Sequence, residues 1–215
     1  MTTTGADGRD PDESLAARAV RRRTGDRQVA VEAEIRRLLD VGLALMAEDP
    51  GASPRVADIV SRAGVSNDAF YRAFRGKDEL MAAIADDGAR RLISYVRHRR
   101  DGESEPGPQV RASIEAVFAQ AADPQIAATS RAVLRSASGA RQPRAAGVVS
   151  VRERLAAELV EPVRALGSRD PERDALVVAV ATFAVMEQFL WAERLPSADD
   201  VEHVVSFVLR GITAA

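Results

Sequence analysis

The sequence contains no cysteine, so disulfides and thiolate chemistry are excluded, and its only imidazoles are His98 and His203. That pair does not make a zinc set, and no metal or other cofactor is expected. Lysine is almost missing too: Lys77 is the one lysine among 30 basic residues. There is no run of eighteen apolar residues, and the N-terminus, MTTTGADGRDPDES, is polar and acidic rather than a charged start before an apolar core. The expectation is a cytoplasmic protein without membrane attachment. Dinucleotide-binding GxGxxG, P-loop and HExxH motifs do not occur, and neither histidine neighbours a plausible nucleophile in sequence. A helical hydrolase or transferase therefore has no support, and the chain is expected not to be an enzyme.

What is present is enough for a sizeable core: 215 residues, 46% hydrophobic, room for one large or two small domains. The net charge of −2 hides an asymmetry. Residues 15–100 carry seventeen basic and twelve acidic side chains, whereas residues 101–215 carry twelve and sixteen. A positive half suits a phosphate-rich partner, and scatter among solvated faces is the competing explanation.

The chain is organised around residues 55–80, RVADIVSRAGVSNDAFYRAFRGKDEL. Ser53 can cap a helix that opens on Pro54, where the missing N–H costs nothing. Val56, Ile59, Val60 and Ala63 form one apolar stripe, and Gly64 offers a left-handed stop. Ser66 can cap a second helix on which Phe70 and Phe74 share a face, with Asn67, Asp68, Tyr71 and Arg72 on or near the other. Helix, glycine turn and helix make a helix-turn-helix unit. In such units the N-terminal turn of the second helix enters the major groove, so Ser66, Asn67, Asp68 and Ala69 are candidates for base readout. Asn67 can pair with adenine. Asp68 can accept from cytosine N4, or simply complement the helix dipole, and the second reading is favoured slightly.

These residues resemble the DNA-binding module of TetR-type transcriptional regulators over residues 29–95. The resemblance rests on Val56 to Val60, Ala63-Gly64-Val65-Ser66, Tyr71, Arg72, Phe74, Lys77 and Leu80. Val60 departs from the pattern, where a small alanine is usual, and so do Asn67 and Asp68, so no base preference carries over. The resemblance implies that Tyr71 and Lys77 contact phosphates, Lys77 with help from helix N–H groups, and that Arg55 and Arg72 belong to the same DNA-binding surface. Tyr71 as a half-buried packing ring is the alternative.

Along the rest of the chain, residues 1–27 read as an unstructured acidic and basic arm with Arg18, Arg21, Arg22 and Arg23, either a minor-groove contact or a solvated tether. A first helix is predicted over 29–47, with Ile35, Leu38, Leu39, Gly42, Leu45 and Met46 on one side and a stop at Glu48-Asp49-Pro50-Gly51. A long helix follows from Lys77 to about Arg100, then a loop over 101–108. Further helices are predicted over 109–121, 124–137, 145–166, 171–195 and 198–213, with a basic loop over 139–147. The helix around 176–191 is apolar nearly all round, which means burial on two sides. Val201, Val204, Val205, Val208 and Ile212 form a clean stripe. The resemblance implies dimerisation through the last two helices, and these five are the candidate dimer interface; a monomeric helical core is the alternative.

The resemblance also implies a small-molecule effector, of unknown identity, inside the C-terminal bundle. Candidate pocket residues are Phe118, Thr129, Phe183, Glu187 and Trp191, which can equally be core and structural groups. The combined expectation is an all-α chain. It has an arm (1–27), a three-helix DNA-binding domain with the helix-turn-helix (28–76), a connecting helix (77–100) and a larger helical effector-binding and dimerisation domain (101–215). Its expected function is that of a homodimeric regulator, a repressor released from a palindromic double-stranded DNA operator by the effector. The alternative is a DNA-organising or adaptor protein without the switch.

Overall fold

The computed structural model describes residues 15–49, 54–139 and 150–213. Among them the regular structure is entirely helical: α1 (Leu15–Glu48), α2 (Val56–Ala63), α3 (Asn67–Ala73), α4 (Lys77–Asp101), α5 (Pro106–Ala122), α6 (Pro124–Gly139), α7 (Val151–Ala165), α8 (Pro171–Trp191) and α9 (Ala198–Thr213). The all-α expectation holds.

Several helix ends follow from single residues. Gly64 closes α2 at φ 63°, ψ 35°, a left-handed pair of angles that costs a glycine little. Ser66 Oγ accepts from the Ala69 N–H at 3.1 Å to open α3. Asp123 accepts from the N–H groups of Gln125 and Ile126 ahead of α6, and Asp170 from that of Arg173 ahead of α8, both just before a proline. Ser150 and Glu153 form a reciprocal capping box at the start of α7.

Other boundaries differ from the sequence reading. α1 begins at Leu15, so residues 15–27 are helical rather than an unstructured arm. Ala, Leu and Arg dominate that stretch and favour a helix, and the lone Gly25 costs only about 1 kcal/mol. α2 begins at Val56, not Pro54: its N-cap is Arg55, which makes no side-chain cap bond. Ser53 lies outside the described residues, as do residues 1–14, Pro50-Gly51 and most of the basic loop after Gly139. α5 begins inside the expected loop, because Pro106 can occupy a first helical position and Pro108 a place where no intrahelical N–H bond is needed. α8 stops at Trp191, and the chain leaves it through Glu193 at φ 51°.

The buried side chains fall into two clusters. One joins Leu38 and Met46 of α1, Ile59, Val60 and Ala63 of α2, Phe70 and Phe74, Leu80 and Ile84 of α4, and Ala132 of α6. The larger one joins Ile93 and Val96 of α4 to α5, Ala127 of α6, α7, α8 and α9. α5 is its centre, touching α4, α6, α7, α8 and α9. α4 and α6 alone contribute buried residues to both clusters. α1 lies close against α4: a β-carbon at Gly42 would stand 2.7 Å from Ile84 Cδ1.

Two carboxylates tie α4 to α7. Asp86 pairs with Arg90 of its own helix at 2.9 Å and with Arg154 of α7. Glu158 of α7 binds Arg97 and, at 2.6 Å, Arg100, whose guanidinium also donates to the Glu158 backbone oxygen at 2.8 Å. Hydrogen bonding from Arg97, then from Arg100, holds the Glu158 carboxyl below the usual range against a partial opposing effect of burial. A carboxyl lowered on folding stabilises the folded state fully above its unfolded value, about 4.3, and loses that contribution as pH falls through its lower folded value. Glu158→Gln is therefore expected to melt below wild type at neutral pH, with the gap closing below pH of about 4. A gap independent of pH in thermal melts would assign the loss to packing instead.

Candidate nucleic-acid interface

α2 and α3 are short, and what fixes them is their buried side. Ile59 and Phe70 have no exposed surface, and the Phe70 ring lies 5.8 Å from that of Phe74. The opposite side of α3 is consequently turned outward: Asn67, Asp68, Tyr71 and Arg72 are all exposed. Tyr71 is 59% exposed and sets its ring edge-on to Phe70, with centroids 5.2 Å apart at 88°. It thus packs against Phe70 while more than half of the residue stays exposed, an arrangement compatible with a phosphate contact.

Arg55 is exposed at the mouth of α2, and Lys77 is half-buried as the first residue of α4. Glu79 reaches back to the Arg75 N–H at 2.6 Å and to its guanidinium at 3.1 Å, which fixes the turn between α3 and α4. Ala69 has to be withdrawn as a base contact. It is buried, because the step of about 100° per residue carries it from the outward side of Asp68 to the inner side with Phe70. Ser66 remains exposed, but its oxygen is engaged as the helix cap. The outward set available for DNA is thus narrower than the sequence suggested: Arg55, Asn67, Asp68, Tyr71, Arg72 and Lys77.

The five candidate effector residues are not brought around one cavity. Phe118 is buried with its ring 6.0 Å from Phe189, and Phe183 is buried beneath the Arg152 guanidinium at 5.5 Å. Glu187 pairs with that same arginine at 2.5 Å, and Thr129 Oγ1 donates to the Gln125 carbonyl of its own helix at 3.0 Å. Trp191 is 45% exposed beside Arg135. Polar interruptions of an apolar helix are here satisfied locally, which is why they mislead as pocket markers. Of the five, Phe118 lines an open cleft of about 500 Å³ between α5 and the start of α9. A second cleft of about 430 Å³ lies between α4 and α7 over Ile93, Ser94 and Ala157.

The proposed dimer stripe is corrected as well. Val205, Val208 and Ile212 are buried in the larger cluster, and Val201 and Val204 pack half-buried against it. One stripe cannot face its own core and a partner together. On the described parts of these last two helices, the large apolar side chains left exposed are instead Leu176, Val177, Val180 and Trp191 of α8 and Phe207 of α9. α8 is long and apolar enough to cross a membrane by length and composition alone, yet 44% of that window is buried in the chain itself.

A compact module with α3 offered outward on a core of α1, α2 and α4 defines an all-α helix-turn-helix DNA-binding protein. Residues 38–84 match the family described as bacterial regulatory proteins, tetR family. The match places the helix-turn-helix of this chain in that family's DNA-binding module. No curated protein sequence matches it. Solved structures resemble it over nearly the whole length. A TetR-family transcriptional regulator of Streptomyces coelicolor is 20% identical with a TM-score of 0.64, covering 88% of this chain and 95% of its own. A transcriptional regulator of Pseudomonas aeruginosa is 19% identical at 0.63, covering 84% and 90%. The fatty acid degradation regulator FadR of Bacillus halodurans is 14% identical at 0.59, covering 82% and 94%. At such identities the likeness is one of fold.

Proposed function

We propose that the protein is a homodimeric repressor that binds a near-palindromic operator, one helix-turn-helix per half-site, and leaves it when a small-molecule effector binds. The observation that carries this reading is the exposed polar side of α3 on a rigidly packed module. Tyr71, Arg55 and Lys77 position the module on phosphates, while Asn67 and Asp68 face the bases. The two recognition helices of a dimer would stand roughly 34–36 Å apart, one turn of DNA. α4 is the natural lever, since Leu80 and Ile84 belong to the smaller core and Ile93 and Val96 to the larger. An effector with differential affinity for two positions of α4 would shift the population away from that spacing.

The test is selection of bound duplexes from random DNA at physiological salt. A palindromic consensus is expected. Binding that fades as salt rises, without any consensus, would favour the DNA-organising alternative. With the consensus in hand, Lys77→Ala should weaken all sequences about equally, and a change in sequence preference would overturn its phosphate role.

A further inference from the structure

Asp68 and Arg72 are four residues apart on the exposed side of α3, acid before base, the order that favours pairing along a helix. Elsewhere the same spacing closes: Asp86 with Arg90 at 2.9 Å, Asp87 with Arg91 at 2.7 Å, and Arg75 with Glu79 at 3.1 Å. Asp68 and Arg72 do not close. Neither side chain has a hydrogen-bond or ionic partner among the described residues. The outward side of α3 therefore keeps both a free carboxylate and a free guanidinium.

A carboxylate carried towards DNA is repelled by phosphates unless it meets a donor. In the major groove the donors are cytosine N4–H2 and adenine N6–H2. Adenine presents N7, an acceptor, beside its amino group, which repels a carboxylate; cytosine presents no such neighbour. One turn further along α3, a guanidinium can donate two hydrogen bonds to guanine O6 and N7. The two requirements meet in G·C pairs.

We propose that Asp68 and Arg72 are, beside Asn67, specificity-determining residues of α3 and select a G·C-containing step in each half-site. Asp68 accepts from cytosine N4 and Arg72 donates to guanine. This inference rests on the regulator reading above and names what that site recognises. It also assigns Asp68 a role that complementing the helix dipole would not require, since a dipole role alters stability and not base preference.

The test compares selection from random duplexes by the full-length wild type, Asp68→Asn and Arg72→Gln, with thermal melts as the folding control; both positions are exposed, so the variants are expected to fold. The wild-type consensus should carry G·C pairs at symmetric positions. Asp68→Asn should move cytosine towards adenine at one of them, changing the ratio by about tenfold, within the range of one good base contact. Arg72→Gln should likewise exchange guanine for adenine. A wild-type consensus that neither substitution alters, or a uniform loss across all sequences, overturns the inference while leaving the regulator intact. A wild type that selects no consensus overturns both.

Discussion

Phe70→Ala is expected to remove DNA binding by unfolding the helix-turn-helix while the larger helical core survives. Phe70 has no exposed surface, and its ring supports both Phe74 and the base of Tyr71. Truncating a buried phenylalanine costs about 3–5 kcal/mol, against a total stability of about 5–15 kcal/mol for a whole domain. The smaller cluster is built from few residues and contains none from α5, α7, α8 or α9. The loss should therefore be local. Hydrogen exchange should show amides of α2 and α3 opening freely while those of α5 and α8 stay protected. Equal loss of protection in both groups would mean that the two clusters melt as one unit. Tyr71→Ala, which removes the exposed ring but not the buried one, should bind DNA more weakly without that change in exchange.

The elements read correctly from sequence share one property: their cause is local. Gly64 and Ser66 act on backbone groups within a few residues, so type and spacing suffice to place a helix end, and the helices predicted from 124 and 171 likewise open on the local caps Asp123 and Asp170. The stripe of Ile59, Val60 and Ala63 was legible for a related reason, since three inward residues in eight leave one choice of inner side. The misreadings share another property. A stripe announces that a surface is buried but not by what, and the clean stripe of α9 proved to face α5 and α8 of its own chain. Glu187 and Thr129 look like ligand hooks in an apolar context until their partners, Arg152 and the Gln125 carbonyl, are known. Ala69 was assigned outward by proximity to the recognition turn, although a rotation of one residue moves a side chain by about 100°. Residues 15–27 carry helix propensity without an apolar stripe, so a reading led by periodicity left them out of α1.

The same distinction yields the largest expected effect on assembly. Val177 and Val180 are 61% and 43% exposed on α8, and with Ala184 and Trp191 they recur along one side of that helix, away from its core residues Val178, Ala179 and Phe183. Phe207, at 66%, is a further exposed apolar ring, on α9; an exposed apolar stripe such as that of α8 marks an interaction site. A second copy meeting this surface through a twofold axis would place each residue near its own counterpart. Val177→Glu with Val180→Glu would then bury carboxylates against carboxylates, a repulsion with no compensating partner. Where the wild type forms the proposed homodimer, the variant should sediment as a monomer while keeping its helix content, because both side chains are exposed in the single chain. Val205→Glu, placing the charge in the chain's own core, should instead lower helix content and melting temperature, which separates loss of dimer from loss of fold. Each monomer would still carry an intact α3. Operator affinity should nevertheless fall roughly a hundredfold to ten-thousandfold, since a second half-site no longer benefits from the first contact. A dimer that survives both substitutions would move the interface off α8, and with it the argument that the exposed valines are there for a second copy.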